Sequence, residues 1–133
     1  MPADFDRDGR MDLLVVNRGD EPVALFHNQT QTADNWMQVH LEGEPHLPGA
    51  YRSTRDAVGA RIEVTTGGVT RRRDISVGGH TCGSSGDHVA LFGIGNSSLV
   101  DELRVTWPSG RVSVRRNLNP NQLLKLREQD ASS

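Results

Sequence analysis

The chain has 133 residues, 35% of them hydrophobic and 24% charged, and a formal net charge of −2. This length fits one ordinary domain with a small appendage, and no segment approaches the roughly 20 consecutive apolar residues of a membrane-spanning helix. The balanced charge argues against nucleic-acid binding, which needs a strongly basic face, and a single cysteine, Cys82, excludes an internal disulfide and a cysteine-based zinc site.

The first element is an acidic loop over residues 4–12, with the sequence D-F-D-R-D-G-R-M-D. Aspartates at alternate positions offer carboxylate oxygens, which Ca²⁺ prefers, but they converge on one ion only where the chain turns sharply. Gly9 permits such a turn because it reaches positive φ without a Cβ clash. An EF-hand would place a bidentate Glu where Val15 stands, so the loop is expected to enter a strand. The alternative is an acidic turn that holds no metal.

From this loop to Asn28 the chain resembles a calcium-binding repeat of the FG-GAP and VCBS type, one blade of an integrin-like β-propeller. The resemblance predicts strands at 12–17 and 22–27 around a turn at 18–21. It implies that four side chains and one backbone carbonyl, that of Arg10, bind Ca²⁺; the five residues are Asp4, Asp6, Asp8, Arg10 and Asp12. Since Asp4 lies close to the start of the chain, we expect weak binding, with Kd of roughly 10⁻⁴–10⁻³ M.

One blade cannot close a propeller. The apolar residues of 13–16 and 23–26 are therefore expected to be buried on the following domain, on upstream blades or on another chain. The ion is not expected to be required for folding of residues 35–128.

After residue 35 the hydrophobic period is mostly two, which predicts strands at 36–41, 60–65, 69–77, 88–92, 100–107, 112–117 and 123–127. Gly67-Gly68 suits a two-residue type I′ hairpin, and the sequence W-P-S-G at 107–110 suits a type I turn followed by glycine in the left-handed region. We predict an all-β fold, an antiparallel β-sandwich or partly open barrel preceded by a blade-like hairpin. Phe92 and Trp107 are expected in its core.

Three further segments carry polar or irregular sequence. The connection at 42–57 is long enough to be functional, although a flexible crossover between sheets looks the same. The segment 78–88 holds His80, Cys82 and His88, whose spacing matches no standard zinc pattern, so a glycine-rich loop is favoured. The basic run 71–73 could meet an anionic sugar or acidic partner, but a solvated edge strand is favoured, with two of its three side chains on one face.

The second half of the chain carries several motifs in a recognisable order: residues 35–39, 55–62, 92–95, 100–107 and 107–110, then Asn121-Gln122 and Glu128. Together they resemble the ASPIC/UnbV domain, which follows VCBS or FG-GAP repeats in proteins related to cartilage acidic protein. Thr54 and Leu91 stand where the family often has Asn and His, so no role of those polar residues carries over. The resemblance divides the chain into a partial calcium-binding repeat (1–34), an ASPIC/UnbV-like domain (35–128) and a tail (129–133).

The resemblance implies an extracytoplasmic or secreted, calcium-binding module for adhesion, protein interaction or glycan binding, in the C-terminal part of a larger repeat protein. Because the N-terminus is acidic and lacks a basic and an apolar region, we expect no signal peptide in this chain and any export signal upstream of it. A second hypothesis is an accessory or terminal domain of a larger enzyme, with catalytic residues elsewhere or in a crevice at 42–57. No nucleophile, base and orienting group can be assembled from the motifs, so we expect no enzymatic activity from this chain.

Overall fold

The computed structural model describes residues 1–17, 19–46, 52–76 and 89–131. Within these ranges it contains no α-helix, and no helix with the length and apolar character needed to cross a membrane. All nine predicted strands are present, and a short strand at the N-terminus is additional. The elements are β1 Pro2–Ala3, β2 Asp12–Val15, β3 Ala24–Phe26, β4 Asn35–Glu42, β5 Arg61–Thr66, β6 Val69–Asp74, β7 Val89–Gly95, β8 Val100–Thr106, β9 Val112–Leu118, β10 Gln122–Arg127 and a 3₁₀ helix at Glu128–Asp130.

Two sheets form the sandwich, one with strand order β10-β4-β7 and the other with order β6-β5-β8-β9. Alternate residues of each strand point between them, so the apolar half of the period-two pattern becomes the core. The all-β prediction is confirmed, and Trp107 and Phe92 are buried as expected, at 1% and 3% exposure. Within the described residues the strands of one sheet pair only with one another and not with strands of the other sheet. The core contains Met37, Val39, Leu41, Ala57, Ala60, Ile62, Val64, Ala90, Phe92, Ile94, Val100, Leu103, Val105, Trp107 and Leu126.

One pairing departs from the antiparallel prediction, because β10 runs parallel to β4. The reason lies at the start of both strands. The backbone N–H of Asn121 donates to the Trp36 carbonyl over 2.6 Å, and the Trp36 N–H donates to Asn121 Oδ1 over 3.0 Å. Asn121 adopts φ +59°, which Asn tolerates better than most residues. This anchor makes both strands begin at the same end of the sheet.

The two tight turns have the predicted conformations. Gly67 and Gly68 both have positive φ, +54° and +79°, and antiparallel strands β5 and β6 pair on either side of them. Gly110 has φ +88°, and its N–H donates to the carbonyl of Trp107 over 2.9 Å.

The basic run lies on β6, at one edge of the four-stranded sheet. Arg71 and Arg73 pair with the inward-facing positions of β5, while Arg72 points to the opposite face and bonds Asp74 over 2.8 Å. Two of the three arginines therefore share a face, as predicted. The other polar segment, with His80, Cys82 and His88, lies outside the described residues, as do residues 47–51 of the long connection.

The third sheet, β1-β2-β3, is formed by the N-terminal hairpin. Leu13 pairs with Phe26, and Leu14 with Leu25. Of the three surfaces expected to bury these apolar side chains, the sandwich does not do so in the described part of this chain. Phe26 is 60% exposed and Leu25 54%, and several of their neighbours are also exposed: Leu13, Val16 and Val23. A sheet of three short strands cannot cover both of its own faces.

Candidate metal site

The acidic loop folds around its own carboxylates. The Asp4 side chain accepts hydrogen bonds from the backbone N–H groups of Asp8 (3.1 Å) and Gly9 (2.9 Å). Asp6 accepts from the Asp8 N–H over 3.2 Å, and Asp8 accepts from the Arg10 N–H over 2.8 Å. Gly9 makes the reversal possible with φ +87°. The carboxylates are therefore gathered on the inside of the turn.

Asp4, Asp6 and Asp8 each offer an oxygen atom, and these atoms lie within 4.8 Å of one another. Two oxygens bound to one Ca²⁺ at about 2.4 Å can be at most about 4.8 Å apart. The spacing of the three predicted carboxylates therefore fits one calcium ion. The carboxylates would supply hard oxygen ligands and neutralise the charge of the ion. The bound ion would in turn hold the turn closed.

Asp12 has a different environment from the other three aspartates, since it is only 2% exposed. Its Oδ1 accepts the Asn28 N–H over 2.8 Å, and its Oδ2 accepts the Phe5 N–H over 3.1 Å. The bond from Asn28 is the largest cause that holds the Asp12 pKa below its ordinary value, and His27 adds to this lowering. Asp12 forms a second close group with Asp6 and His27, rather than with Asp4 and Asp8.

Because the pKa of Asp12 is lowered, we expect the N-terminal hairpin to be acid-sensitive. A carboxylate whose folded-state pKa is depressed stabilises the fold above its unfolded pKa, and this stabilisation is lost as pH falls through the folded value. We expect amide protection of Phe5 and Asn28 to decrease below about pH 4, measured by hydrogen exchange. In the Asp12→Asn variant, the amide protection of Phe5 and Asn28 should be low and nearly independent of pH in this range. An equally acid-sensitive Asp12→Asn would contradict this role.

Arg10, predicted to offer its backbone carbonyl, contacts the loop and its surroundings through its side chain. Its Nε donates to the Asn28 carbonyl over 3.0 Å and its Nη1 to the Thr30 carbonyl over 3.3 Å. Its Nη2 forms a close ion pair with Asp8. The guanidinium therefore ties the loop to the segment after β3 and offsets part of the negative charge.

Two residues that the sequence indicated only as part of the 35–39 motif, Trp36 and Gln38, hold the loop against the sandwich. Trp36 lies over Gly9 so closely that a Cβ there would be 2.1 Å from Cδ1 of the indole. Gln38 donates through Nε2 to Asp4 Oδ2. Both lie on β4 at alternate positions, on the face opposite to the core residues Met37 and Val39. The alternation of side chains along β4 could be read from the sequence. The sequence did not indicate which segment covers the outer face of this strand.

His27 lies beside the loop, in the group with Asp6 and Asp12, and was also missed although a signal was available. Because Leu13 pairs with Phe26, the next pair along the hairpin brings Asp12 and His27 together. The hairpin register follows from the turn at 18–21, so the contact could have been inferred before the structure.

A cleft of about 460 Å³ lies beside the loop, at the beginning of β4. Its walls combine the Trp36 indole with amide, hydroxyl and acidic side chains, including Thr32, Asp34, Asn35 and Asn121. The amides are oriented, because Asn121 Nδ2 donates to Asn35 Oδ1 over 2.7 Å and Asn35 Nδ2 donates to the Ser97 carbonyl over 3.0 Å.

A second cleft, of about 360 Å³, is formed by the 42–57 connection and the C-terminus and includes Glu44, His46, Arg55 and Glu128. Glu128 is fully buried and accepts three hydrogen bonds: from Ser53 Oγ over 2.7 Å, from the Glu44 N–H over 2.8 Å and from Ser109 Oγ. All three partners belong to loops or turns, so this carboxylate fastens the connection and the Trp107–Gly110 turn to the C-terminus. In the same connection, Thr54 stands where the family often has Asn, and its side-chain hydroxyl accepts a hydrogen bond from the Val58 N–H over 3.0 Å.

Fold and site together define an all-β sandwich that carries an acidic loop on the outer face of one sheet. The profile of the family described as "ASPIC and UnbV" matches residues 49–133, and the chain belongs to this family. The match begins within the 42–57 connection and so omits β4, although β4 is the central strand of its sheet. No curated protein matches the chain significantly.

Proposed function

We propose that this chain is a non-enzymatic, calcium-binding β module that serves adhesion, protein interaction or glycan binding, in the extracytoplasmic part of a larger repeat protein. The observation that carries the proposal is the convergence of the Asp4, Asp6 and Asp8 oxygens within 4.8 Å. The N-terminal hairpin would then be a partial FG-GAP/VCBS-like repeat. Calcium would fix the loop against β4 through the contacts of Asp4 and Gly9.

A macromolecular partner is supported by the surface of the N-terminal sheet. Leu13 and Phe26 pair on one face of this sheet and Leu25 lies on the other, and each is about half exposed. Exposed apolar side chains grouped in this way typically mark an interaction site. A glycan partner is supported by the cleft beside Trp36, where an aromatic ring stands next to oriented amides. Small-ligand sites combine an apolar wall with a few placed polar groups in this way.

The alternative is an accessory domain of a larger enzyme with chemistry in the 42–57 crevice. The second cleft gives this alternative a location, because Glu44, His46 and Arg55 line it. However, Glu128, the buried carboxylate of this cleft, already accepts three hydrogen bonds that fasten the 42–57 connection and the Trp107–Gly110 turn. We therefore favour a structural role for Glu128 and the non-enzymatic function for the chain.

Calcium titration of Asp8→Ala tests the proposal. We expect wild-type protein to bind Ca²⁺ with a Kd of roughly 10⁻⁴–10⁻³ M, and Asp8→Ala to show no measurable binding by calorimetry, because one of three converging carboxylates is lost. EDTA should lower the Tm slightly without unfolding the sandwich, since the core residues lie outside the loop.

Asp20→Ala is the matched control, because it removes one exposed aspartate from the same hairpin without touching the loop. Its calcium affinity should stay within about twofold of wild type, since distant exposed charges interact weakly. Equal binding by wild type and Asp8→Ala, or no binding by either, would overturn the proposal.

A further inference from the structure

His27 lies between two carboxylates at the edge of the acidic loop. Its Nδ1 is 3.1 Å from Asp12 Oδ1, and its Nε2 is 3.4 Å from Asp6 Oδ2. An imidazole is not a ligand that Ca²⁺ selects, since hard cations take oxygen. The histidine therefore adds a different chemistry to the loop.

The Asp12 carboxylate cannot turn away from the imidazole. It is 2% exposed, and both of its oxygens are held by backbone N–H groups, those of Phe5 and Asn28. A fixed acceptor opposite Nδ1 favours the tautomer with hydrogen on Nδ1, which leaves a free lone pair on Nε2. Histidines that bind metals almost always donate their other ring N–H to a carboxylate, a backbone carbonyl or water in this way.

The distance on the other side of the ring is also informative. In a tetrahedral zinc site with ligand distances of about 2.1 Å, neighbouring ligand atoms are about 3.4 Å apart. Nε2 of His27 and Oδ2 of Asp6 are separated by 3.4 Å. Their side chains are 42% and 44% exposed, so water has room to complete a coordination shell.

We infer that the chain binds a borderline transition-metal ion of the Zn²⁺ class through His27 Nε2 and Asp6 Oδ2, with Asp12 as the positioning residue. Imidazole suits Zn²⁺, Ni²⁺ and Cu²⁺, whereas carboxylate and carbonyl oxygens suit Ca²⁺. The inference rests on the proposed calcium function, because Asp6 would bind both ions. His27 Nε2, in contrast, would bind only the zinc ion. The two ions should therefore compete for Asp6.

The test is parallel calorimetric titration of the full chain with ZnCl₂ and with CaCl₂. His27→Gln should weaken Zn²⁺ binding about tenfold or more and leave the Ca²⁺ affinity within about twofold. His40→Gln, a change of the same type on β4, is the matched control and should alter neither affinity. Zn²⁺ affinity unchanged in His27→Gln, or reduced equally in His40→Gln, would overturn the inference.

A second test of the zinc site uses the wild-type protein alone. Long-range ¹H–¹⁵N NMR of the histidine rings should place the hydrogen of His27 on Nδ1 and show the Nε2 resonance shifting on addition of ZnCl₂. Hydrogen on Nε2, or an unshifted His27 ring at saturating Zn²⁺, contradicts the inference. Zinc binding without any calcium binding would contradict the proposed function alone, whereas calcium binding without a role for His27 would contradict the zinc site alone.

Discussion

Gly9→Ala is expected to detach the acidic loop from the sandwich. The new Cβ would lie 2.1 Å from Cδ1 of Trp36, far inside van der Waals contact, at a backbone φ of +87° that non-glycine residues rarely adopt. Overpacking and left-handed backbone together cost about 2–5 kcal/mol, more than a few loop contacts can offset. We expect Trp36 to become solvent-exposed, the tryptophan emission to shift to longer wavelength, and calcium binding to weaken because the ligands are held less rigidly.

The chain offers a matched control for the backbone part of this effect. Gly19 has φ +89°, almost the same as Gly9, but a Cβ there would meet nothing within 4 Å. Gly19→Ala should therefore cost only the backbone strain, about 1–2 kcal/mol, and leave the Trp36 emission unchanged. If both variants shifted the fluorescence equally, the packing of Trp36 on Gly9 would not be what holds the loop.

Glu128→Ala is expected to destabilise the whole sandwich. The substitution removes a fully buried side chain and leaves the hydroxyls of Ser53 and Ser109 and the N–H of Glu44 without their common acceptor. Unsatisfied buried donors and the resulting cavity together cost about 3 kcal/mol or more. For a domain of this size that lowers the Tm by roughly 10 °C, measurable by thermal denaturation followed by circular dichroism.

Two further variants test whether the loss of stability is due to the Glu128 carboxylate or to any change in the 3₁₀ helix. Asp130→Ala alters an exposed acid in the same 3₁₀ helix and should change stability by no more than about 0.5 kcal/mol. Glu128→Gln keeps the volume but replaces one acceptor oxygen with a donor, so an intermediate loss is expected. Equal stability of wild type and Glu128→Ala would show that the three hydrogen bonds are not needed to fasten the 42–57 connection.

Much of the fold could be predicted from local sequence. All nine strands were predicted, because period-two alternation and turn residues act over only a few positions. The Gly67-Gly68 pair predicted the hairpin between β5 and β6, because a type I′ turn needs positive φ at both central residues and glycine adopts it readily. The four aspartates lie within nine residues of one another, so convergence of their carboxylates could also be predicted locally, and three of them meet in the structure.

The pairing of distant segments could not be predicted in this way. Alternation decides which residues share one face of a strand, but not which strand lies beside it, so the parallel contact of β10 with β4 was missed. Glu128 was noted only as part of a motif, because its burial depends on Ser53, Ser109 and Glu44, which come from three separate turns.

For this protein, the sequence by itself determined the strands, the tight turns and the acidic loop, since each depends on the conformational preferences of neighbouring residues. Only the tertiary structure decided that Trp36 covers Gly9, that Gln38 contacts Asp4, and that the apolar faces of the N-terminal sheet stay exposed. The physical reason is that such contacts depend on how whole sheets are stacked. That stacking is set by the summed burial of the core, and no single segment encodes it.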